Sequence, residues 1–338
     1  PALRFQLAAL LHEQGIDVFP DEIVVTNGVT QGLALVVQTL AKPGDRVLVE
    51  APTYLGFLNL LQAQGLQPVA VPVDEEGARL DELERLIQVH RPRLYYTIPT
   101  FHNPTGYCMP TGRRRDLLRL AEAYDLLLVE DDLYRPLAYD DPPPAPLKQL
   151  DASERVVYLS SFSKTLFPGI RVGYLVAPRA LYGQLTHRMR ATSLCGPSLL
   201  QRALAIFLEN GAFHRHLQRV LPHYRTRRDA LLDALDAYMP DGAQWSTPQG
   251  GFCCWITLPG NHPFDDLHYA ALQAGVAFAP GEVFFPHTDN KRHLRLCFGK
   301  ETPETIRVAV ERLATLVRER ITGERQSTYA SVAWSPLV

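Results

Sequence analysis

Lysine is scarce in this chain: of 338 residues only Lys42, Lys148, Lys164, Lys291 and Lys300 are lysine, against 29 arginines. Cysteine is sparse too. Cys108, Cys195, Cys253, Cys254 and Cys297 are odd in number and contain no CxxC pair, which argues against a disulfide scaffold or a structural zinc site and fits a reducing cytoplasm. A net charge near −2 leaves no whole-chain electrostatic footprint for nucleic acid or anionic membrane. No apolar run approaches the ~18 residues of a membrane span, and no basic–apolar leader opens the sequence. Internal repeats are absent. What is present is ordinary for a globular, cytoplasmic protein, with a length sufficient for two domains.

Scarcity makes the position of one lysine informative. Val156–Val176 (VVYLSSFSKTLFPGIRVGYLV) reads as a strand, a hydroxyl-rich turn holding Ser161, Ser163 and Lys164, then a loop into a second strand carrying Arg171. Schiff-base chemistry with an aldehyde needs a lysine that is partly desolvated and gives up its proton readily. A surface turn lysine is the competing reading of the same residues.

Upstream, strands alternate with helices: Ile23–Thr26, helix 30–40, Arg46–Glu50, helix 54–64, Gln67–Val71, helix 80–90, Leu94–Ile98, helix 111–124, Leu126–Glu130 and Val156–Ser161. This pattern predicts an α/β fold with a mainly parallel central sheet and helices on both faces. Beyond Arg179 the pattern becomes a smaller α+β unit. It contains helix 199–208, a long stretch 213–238 broken near Pro222, strands 251–258, 276–279 and 293–298, helix 264–274 and a final helix 304–320. The expected division is 1–221, 222–322 and a tail, 323–338, either disordered or lying across a neighbouring surface.

The strand ends carry the chemistry. Thr26-Asn27-Gly28-Val29-Thr30 turns from strand to helix and points free N–H groups outward, an anion site. Tyr54 follows the next strand, where an aromatic can stack on a flat ring. Thr100-Phe101-His102-Asn103-Pro104-Thr105-Gly106 is turn chemistry, with Asn103 a potential donor and its bond to Pro104 a candidate for the cis form. Glu130-Asp131-Asp132-Leu133-Tyr134 ends an apolar strand with a carboxylate that burial penalises unless a cation pairs with it. Arg171 suits a bidentate grip on phosphate, and Arg295, inside the apolar strand 293–298, a grip on a carboxylate. Taken singly, each is also readable as a core tyrosine, a connecting turn or a solvated strand exit.

In this order the motifs resemble the class I/II aminotransferases of pyridoxal-phosphate fold type I, from Leu3-Arg4 to about Arg318. Val73–Gly77, Gly250-Gly251-Phe252, Ala279-Pro280-Gly281 and Phe284 look closest to the aminoadipate- and kynurenine-type enzymes and to the aminotransferase-like domains of MocR/GntR regulators. The resemblance implies a large domain holding pyridoxal 5′-phosphate and a smaller C-terminal α+β domain. Lys164 would hold the cofactor as a Schiff base and shuttle the proton, and Asp131 would pair with the ring nitrogen. Asn103 and Tyr134 would bond the phenolic oxygen, and Tyr54 would stack on the ring. Gly28, Val29, Thr30, Ser161, Ser163 and Arg171 would enclose the phosphate, while Arg295, with Asn103, would hold the substrate carboxylate. No metal is implied.

The implied activity moves an amino group from an α-amino acid to a 2-oxo acid by a ping-pong route, in a homodimer with a shared site. Val29 and Thr30 stand where small polar or amide side chains are common, and Cys297 where asparagine or serine is. The sequence opens inside the family pattern, downstream of an arm that usually borders the substrate pocket. A truncated or disordered start and a different preceding module both fit. The alternatives are a regulator's effector domain, touching nucleic acid only through an upstream DNA-binding module, and another pyridoxal-phosphate reaction such as β-elimination or decarboxylation.

Overall fold

The computed structural model describes residues 1–193, 196–260, 264–287 and 292–323. Cys195, Lys291 and the expected tail beyond Gly323 lie outside the described residues. The first part runs α1 (Ala2–Glu13), β1 (Ile23–Thr26), α2 (Val29–Leu40), β2 (Arg46–Ala51), α3 (Leu55–Ala63), β3 (Gln67–Asp74) and β4 (Gly77–Ala78). It continues through α4 (Leu80–His90), β5 (Leu94–Thr97), α5 (Thr111–Ala123), β6 (Leu127–Asp131), α6 (Leu147–Leu150), β7 (Val156–Ser161) and β8 (Gly173–Val176). After these come α7 (Arg179–Thr192), α8 (Ser198–Glu209), α9 (Ala212–Tyr238), β9 (Gln244–Trp245), β10 (Cys253–Thr257), α10 (Leu267–Gln273), β11 (Ala279–Pro280), β12 (His293–Cys297) and α11 (Pro303–Thr322).

The first eight strands form one sheet in the order β1-β8-β7-β6-β5-β2-β3-β4. The pairs among β3, β2, β5, β6 and β7 are parallel, and β8 runs antiparallel to both of its neighbours. The carboxyl ends of β1, β2, β5, β6 and β7 therefore share one edge with the amino end of the reversed β8. That places Gly28, Tyr54, Lys164 and Arg171 along a single rim, where ligands of open α/β sheets bind.

Strand alternation divides the apolar residues between two cores. Tyr96 and Val129 face α2, α3 and α7, packing with Leu33, Phe57 and Leu185, while Tyr95 and Leu128 face α4, α5 and α6 with Leu83, Leu117 and Leu147. At Gly32 of α2 a Cβ would come within 2.7 Å of Leu159, so the missing side chain lets the helix lie directly on the centre of the sheet. The smaller sheet, β11-β12-β10-β9, covers one face with α9, α10 and α11 through Ile256, Leu294, Leu231, Leu267 and Leu313. Its other face carries Cys253, Trp255, Arg295 and Cys297.

Two sequence expectations need correction. Helix α9 runs unbroken from Ala212 to Tyr238 with Pro222 inside it. A proline there removes one backbone bond at a cost of about 3 kcal/mol, but both flanks are anchored, Phe213 in one core and Leu231 and Leu235 in another. The strand expected at 276–279 shortens to Ala279–Pro280, since the N–H of Val276 is taken by Ala271 O at the end of α10, at 2.8 Å. Helices α1 and α7 were not foreseen. Leu3, Leu7, Leu10 and Leu11 are the buried residues of α1 and have helical spacing; α7 buries only Leu185 and Met189, too few to mark a face.

Candidate active site

The rim begins with the turn after β1. Gly28 caps α2 at φ 78° and ψ 172°, a conformation almost confined to glycine. The turn is covered by Arg171, whose Nη2 donates to Asn27 O at 3.0 Å; a Cβ on Gly28 would sit 2.9 Å from that nitrogen. Arg171 itself adopts a left-handed conformation, φ 47°, which aims the guanidinium back across the turn. Free N–H groups at the start of α2, a guanidinium above them and the buried Ser161 hydroxyl, which has no partner among the described residues, together make an anion cradle. Val29 contributes only backbone here, because its side chain packs into the core. Thr30 is exposed, and Ser163 is half-buried on the lysine turn.

Three consecutive carboxylates end β6, all buried, and the alternation of the strand separates them. Glu130 turns toward α5 and α6, accepting from the N–H groups of Leu147 at 2.8 Å and Lys148 at 2.9 Å with Arg114 3.9 Å away. Asp132 is paired with Arg135 and accepts from Tyr158 Oη at 3.2 Å. Asp131 faces the opposite way, toward α2. Tyr96 Oη donates to its Oδ2 at 2.9 Å, while Oδ1 is buried with no partner among the described residues. Burial lifts the Asp131 carboxyl to about 7, the Asp132 charge adding to it and the Tyr96 hydroxyl and the nearby Lys164 opposing it. The alternative of solvated aspartates at this strand exit does not hold.

Lys164 is exposed, so the protein alone does not supply the desolvation that the sequence argument asked for. Its charge nevertheless acts on Asp131 and on the Cys253 and Cys297 thiols. Tyr54 lies half-buried beside Thr30. Burial first, then the Asp131 charge, raises its hydroxyl pKa, with Arg295 and Arg171 acting against them. Tyr134 is buried and edge-on to Phe252 at 6.2 Å. Across the cleft, Arg295 Nη1 donates to Asn103 Oδ1 at 2.7 Å, and its guanidinium lies 4.8 Å from the centre of the Phe284 ring. The backbone of Thr53 donates to Phe284 O at 2.8 Å, tying the tyrosine loop to the same wall. The Asn103–Pro104 bond is cis.

Sequence reasoning missed what stands behind these groups. Tyr96 holds one oxygen of Asp131. Glu50, fully buried at the end of β2, accepts from Thr97 Oγ1 at 2.6 Å, Tyr107 Oη at 2.6 Å and Ile98 N at 3.0 Å, with His102 Nε2 3.1 Å away. Those donors hold its pKa down although burial works the other way. The argument from a buried strand-end carboxylate, applied to residues 130–132, would have found Glu50 equally. Arg114 was found by no signal: it donates to the backbone oxygens of Met109, Pro99 and Ala145.

The arrangement thus offers an anion cradle, a buried carboxylate with one free acceptor, a lysine on the same rim and an arginine–amide pair opposite. Comparison with known proteins agrees in character. Residues 1–313 match the family profile described as aminotransferase class I and II. The chain is 38% identical to aromatic-amino-acid aminotransferase 1 of Thermococcus litoralis, over 94% of this chain and 78% of that protein. It is 36% identical to the HTH-type transcriptional regulator TauR of Rhodobacter capsulatus, covering 94% of this chain and 64% of the regulator. The structure of Pyrococcus horikoshii kynurenine aminotransferase in complex with PMP superposes with a TM-score of 0.89 at 36% identity, covering 94% of this chain and 80% of that one.

Proposed function

The chain belongs to the class I and II aminotransferases, and from that premise we propose that it is a transaminase that binds pyridoxal 5′-phosphate at this rim and moves an amino group from an α-amino acid to a 2-oxo acid. The observation that carries the reading is Asp131, buried with an unpartnered oxygen on the same side of the sheet as the Gly28–Arg171 cradle. A ring whose phosphate fills the cradle and whose protonated nitrogen meets Asp131 fits both features at once.

In this reading Gly28, Val29 and Thr30 offer the turn, with Arg171, Ser161 and Ser163 completing the grip on the phosphate. Asp131, steadied by Tyr96, would keep the ring nitrogen protonated, Asn103 and Tyr134 would bond the phenolic oxygen, and Tyr54 would stack on the ring. When bound, the cofactor supplies an electron sink that lets the substrate's Cα–H bond ionise. Lys164 would attach the cofactor through Nζ, then take the Cα proton and return it as general base and acid. Arg295, with Asn103, holds the substrate carboxylate. The reading extends to a cofactor-holding unit at 1–221, a C-terminal unit at 222–322, and a cytoplasmic homodimer with a shared site.

The likeness to TauR favours a second reading, in which the same site senses an amine inside a regulator. A visible spectrum of the purified protein separates the two. Transamination requires a cofactor band that shifts with an amino acid and returns with an oxo acid; a sensor shifts without turnover. Lys164→Ala removes the lysine-bound band while far-UV circular dichroism is kept. Normal turnover in that variant would overturn both readings.

A further inference from the structure

In the smaller sheet Cys253 stands directly opposite Cys297, and Trp255 opposite Arg295. The N–H of Phe298 donates to Phe252 O at 3.3 Å, so 252 and 298 form a hydrogen-bonded pair. By the alternation of an antiparallel ladder, 253 and 297 form a non-hydrogen-bonded pair, with Cα atoms about 4.5 Å apart. That spacing lies inside the ~4.4–6.8 Å range a disulfide spans. Both side chains leave the sheet on the face away from Cys254 and Leu296, which belong to the core.

The setting is charged. Cys253 Sγ donates to Asn103 Oδ1 at 3.6 Å, the same oxygen that accepts from Arg295 Nη1 at 2.7 Å. Cys297 is exposed and Cys253 buried. Arg295 on the same strand, Lys164 after β7, Tyr134 after β6 and Cys253 on β10 are the titratable groups around Cys297. The adjacent Cys253 thiol first, then Arg295 and Lys164, bring Cys297 down to about 6, whereas Cys253 is raised, by the Cys297 sulfur first and burial second. One exposed thiolate beside one buried thiol is the arrangement of an attacking and a resolving cysteine.

We propose that Cys253 and Cys297 form an oxidant-modified dithiol site, with a small hydroperoxide as its reagent. The Cys297 thiolate attacks the peroxide oxygen: an S–O bond forms, the O–O bond breaks, and the departing oxygen takes a proton to leave as alcohol or water. The Cys253 sulfur then attacks the sulfenic sulfur of Cys297 and loses its proton, so that an S–S bond forms, the S–O bond breaks and water leaves. Two thiols give up two electrons, and one hydroperoxide takes them. Closure removes the S–H that Asn103 accepts and the negative charge beside Arg295. The consequence for substrate rests on the reading of Arg295 as the carboxylate holder: an incoming carboxylate no longer competes with the thiolate, and its affinity at pH 8 rises by about fivefold.

The test treats the full-length holoprotein at pH 8 with hydrogen peroxide, then counts thiols after denaturation and maps peptides. Loss of two thiols per chain, a Cys253–Cys297 disulfide and full recovery with dithiothreitol are expected. Cys253→Ser stops at a sulfenic acid on Cys297 that dimedone traps, and Cys297→Ser keeps its Cys253 thiol. Retention of both thiols in the wild-type protein, a different pairing, or over-oxidation of Cys297 without a disulfide would overturn the proposal, and none of these outcomes depends on how the variants fold. Propionate binding, read by the cofactor's visible band before and after oxidation, tests the consequence. A mapped disulfide with unchanged propionate affinity leaves the dithiol site standing and refutes the role given to Arg295.

Discussion

Replacing Asp131 with asparagine should stabilise the cofactor-free protein, and by an amount that depends on pH. The substitution keeps an acceptor for Tyr96 Oη and removes the buried charge. A carboxyl raised from 3.8 to about 7 holds a proton in the folded chain over a window where the unfolded chain has lost it. Folding then takes up a proton between about pH 4 and pH 7, and stability falls with rising pH at about 1.4 kcal/mol per unit before levelling off. Asparagine titrates nothing, so the stability of Asp131→Asn relative to wild type should rise by about 3 kcal/mol between pH 5 and pH 8. Glu130 is lifted to about 7 as well, by burial and then by Asp132, so both proteins lose stability on that account and only their difference isolates Asp131. Urea unfolding of the two cofactor-free proteins at matched concentration across that range measures it. A difference that does not vary with pH, or one that favours wild type more at pH 8, would refute the claim that Asp131 sits as a strained buried acid. Pyridoxal phosphate should reverse the order, since a protonated ring nitrogen at Oδ1 favours the ionised carboxylate and the variant has none to offer.

The other predictions test the cradle and the frame. Gly28→Ala places a methyl 2.9 Å from Arg171 Nη2 at a φ of 78°; with about 1–3 kcal/mol of backbone strain added, the Kd for pyridoxal phosphate should rise at least about tenfold, and an unchanged Kd would remove the cradle from the phosphate site. Arg114→Met withdraws the cation 3.9 Å from buried Glu130 and the donor to the oxygens of Met109, Pro99 and Ala145. A loss of about 3–5 kcal/mol in urea unfolding is expected, together with a shift of the visible spectrum only if the Thr100–Asn103 loop moves.

Much of this architecture was legible because its signals are local. Apolar strands alternating with helices announce a parallel sheet, and the chemistry sits at turns whose residue types have few other uses. The reversed direction of β8 was not legible. Gly173–Val176 is as apolar as the parallel strands, and the connection to it, residues 162–172, reaches the lower limit of a crossover of about 10–12 residues, so its length does not distinguish the two directions. The continuity of α9 through Pro222 was hidden for a different reason: propensity is local, whereas the cores that anchor Phe213 and Leu231 are assembled from distant segments.

The carboxylates at 130–132 show where such reading stops. Alternation alone says that Asp131 faces away from Glu130 and Asp132, but both faces of this sheet are buried, so burial cannot say which face holds a site. The choice is made by what else each face contains. On one side Glu130 finds two N–H groups and Arg114, and Asp132 finds Arg135 and Tyr158 at Oδ2, its Oδ1 unpartnered among the described residues; each of these two acids has a guanidinium of the chain beside it. On the other, Asp131 has a single tyrosine and a free oxygen, under the start of α2 and within reach of the charge on Lys164. A fold that gives two of three adjacent buried acids an arginine and leaves the third with only a tyrosine beside an anion cradle has built a place for a cation that carries its own anion. Pyridoxal phosphate, with a protonatable ring nitrogen and a phosphate on one rigid frame, has that form, and the pH-dependent gain on Asp131→Asn measures what keeping that buried acid costs the cofactor-free protein.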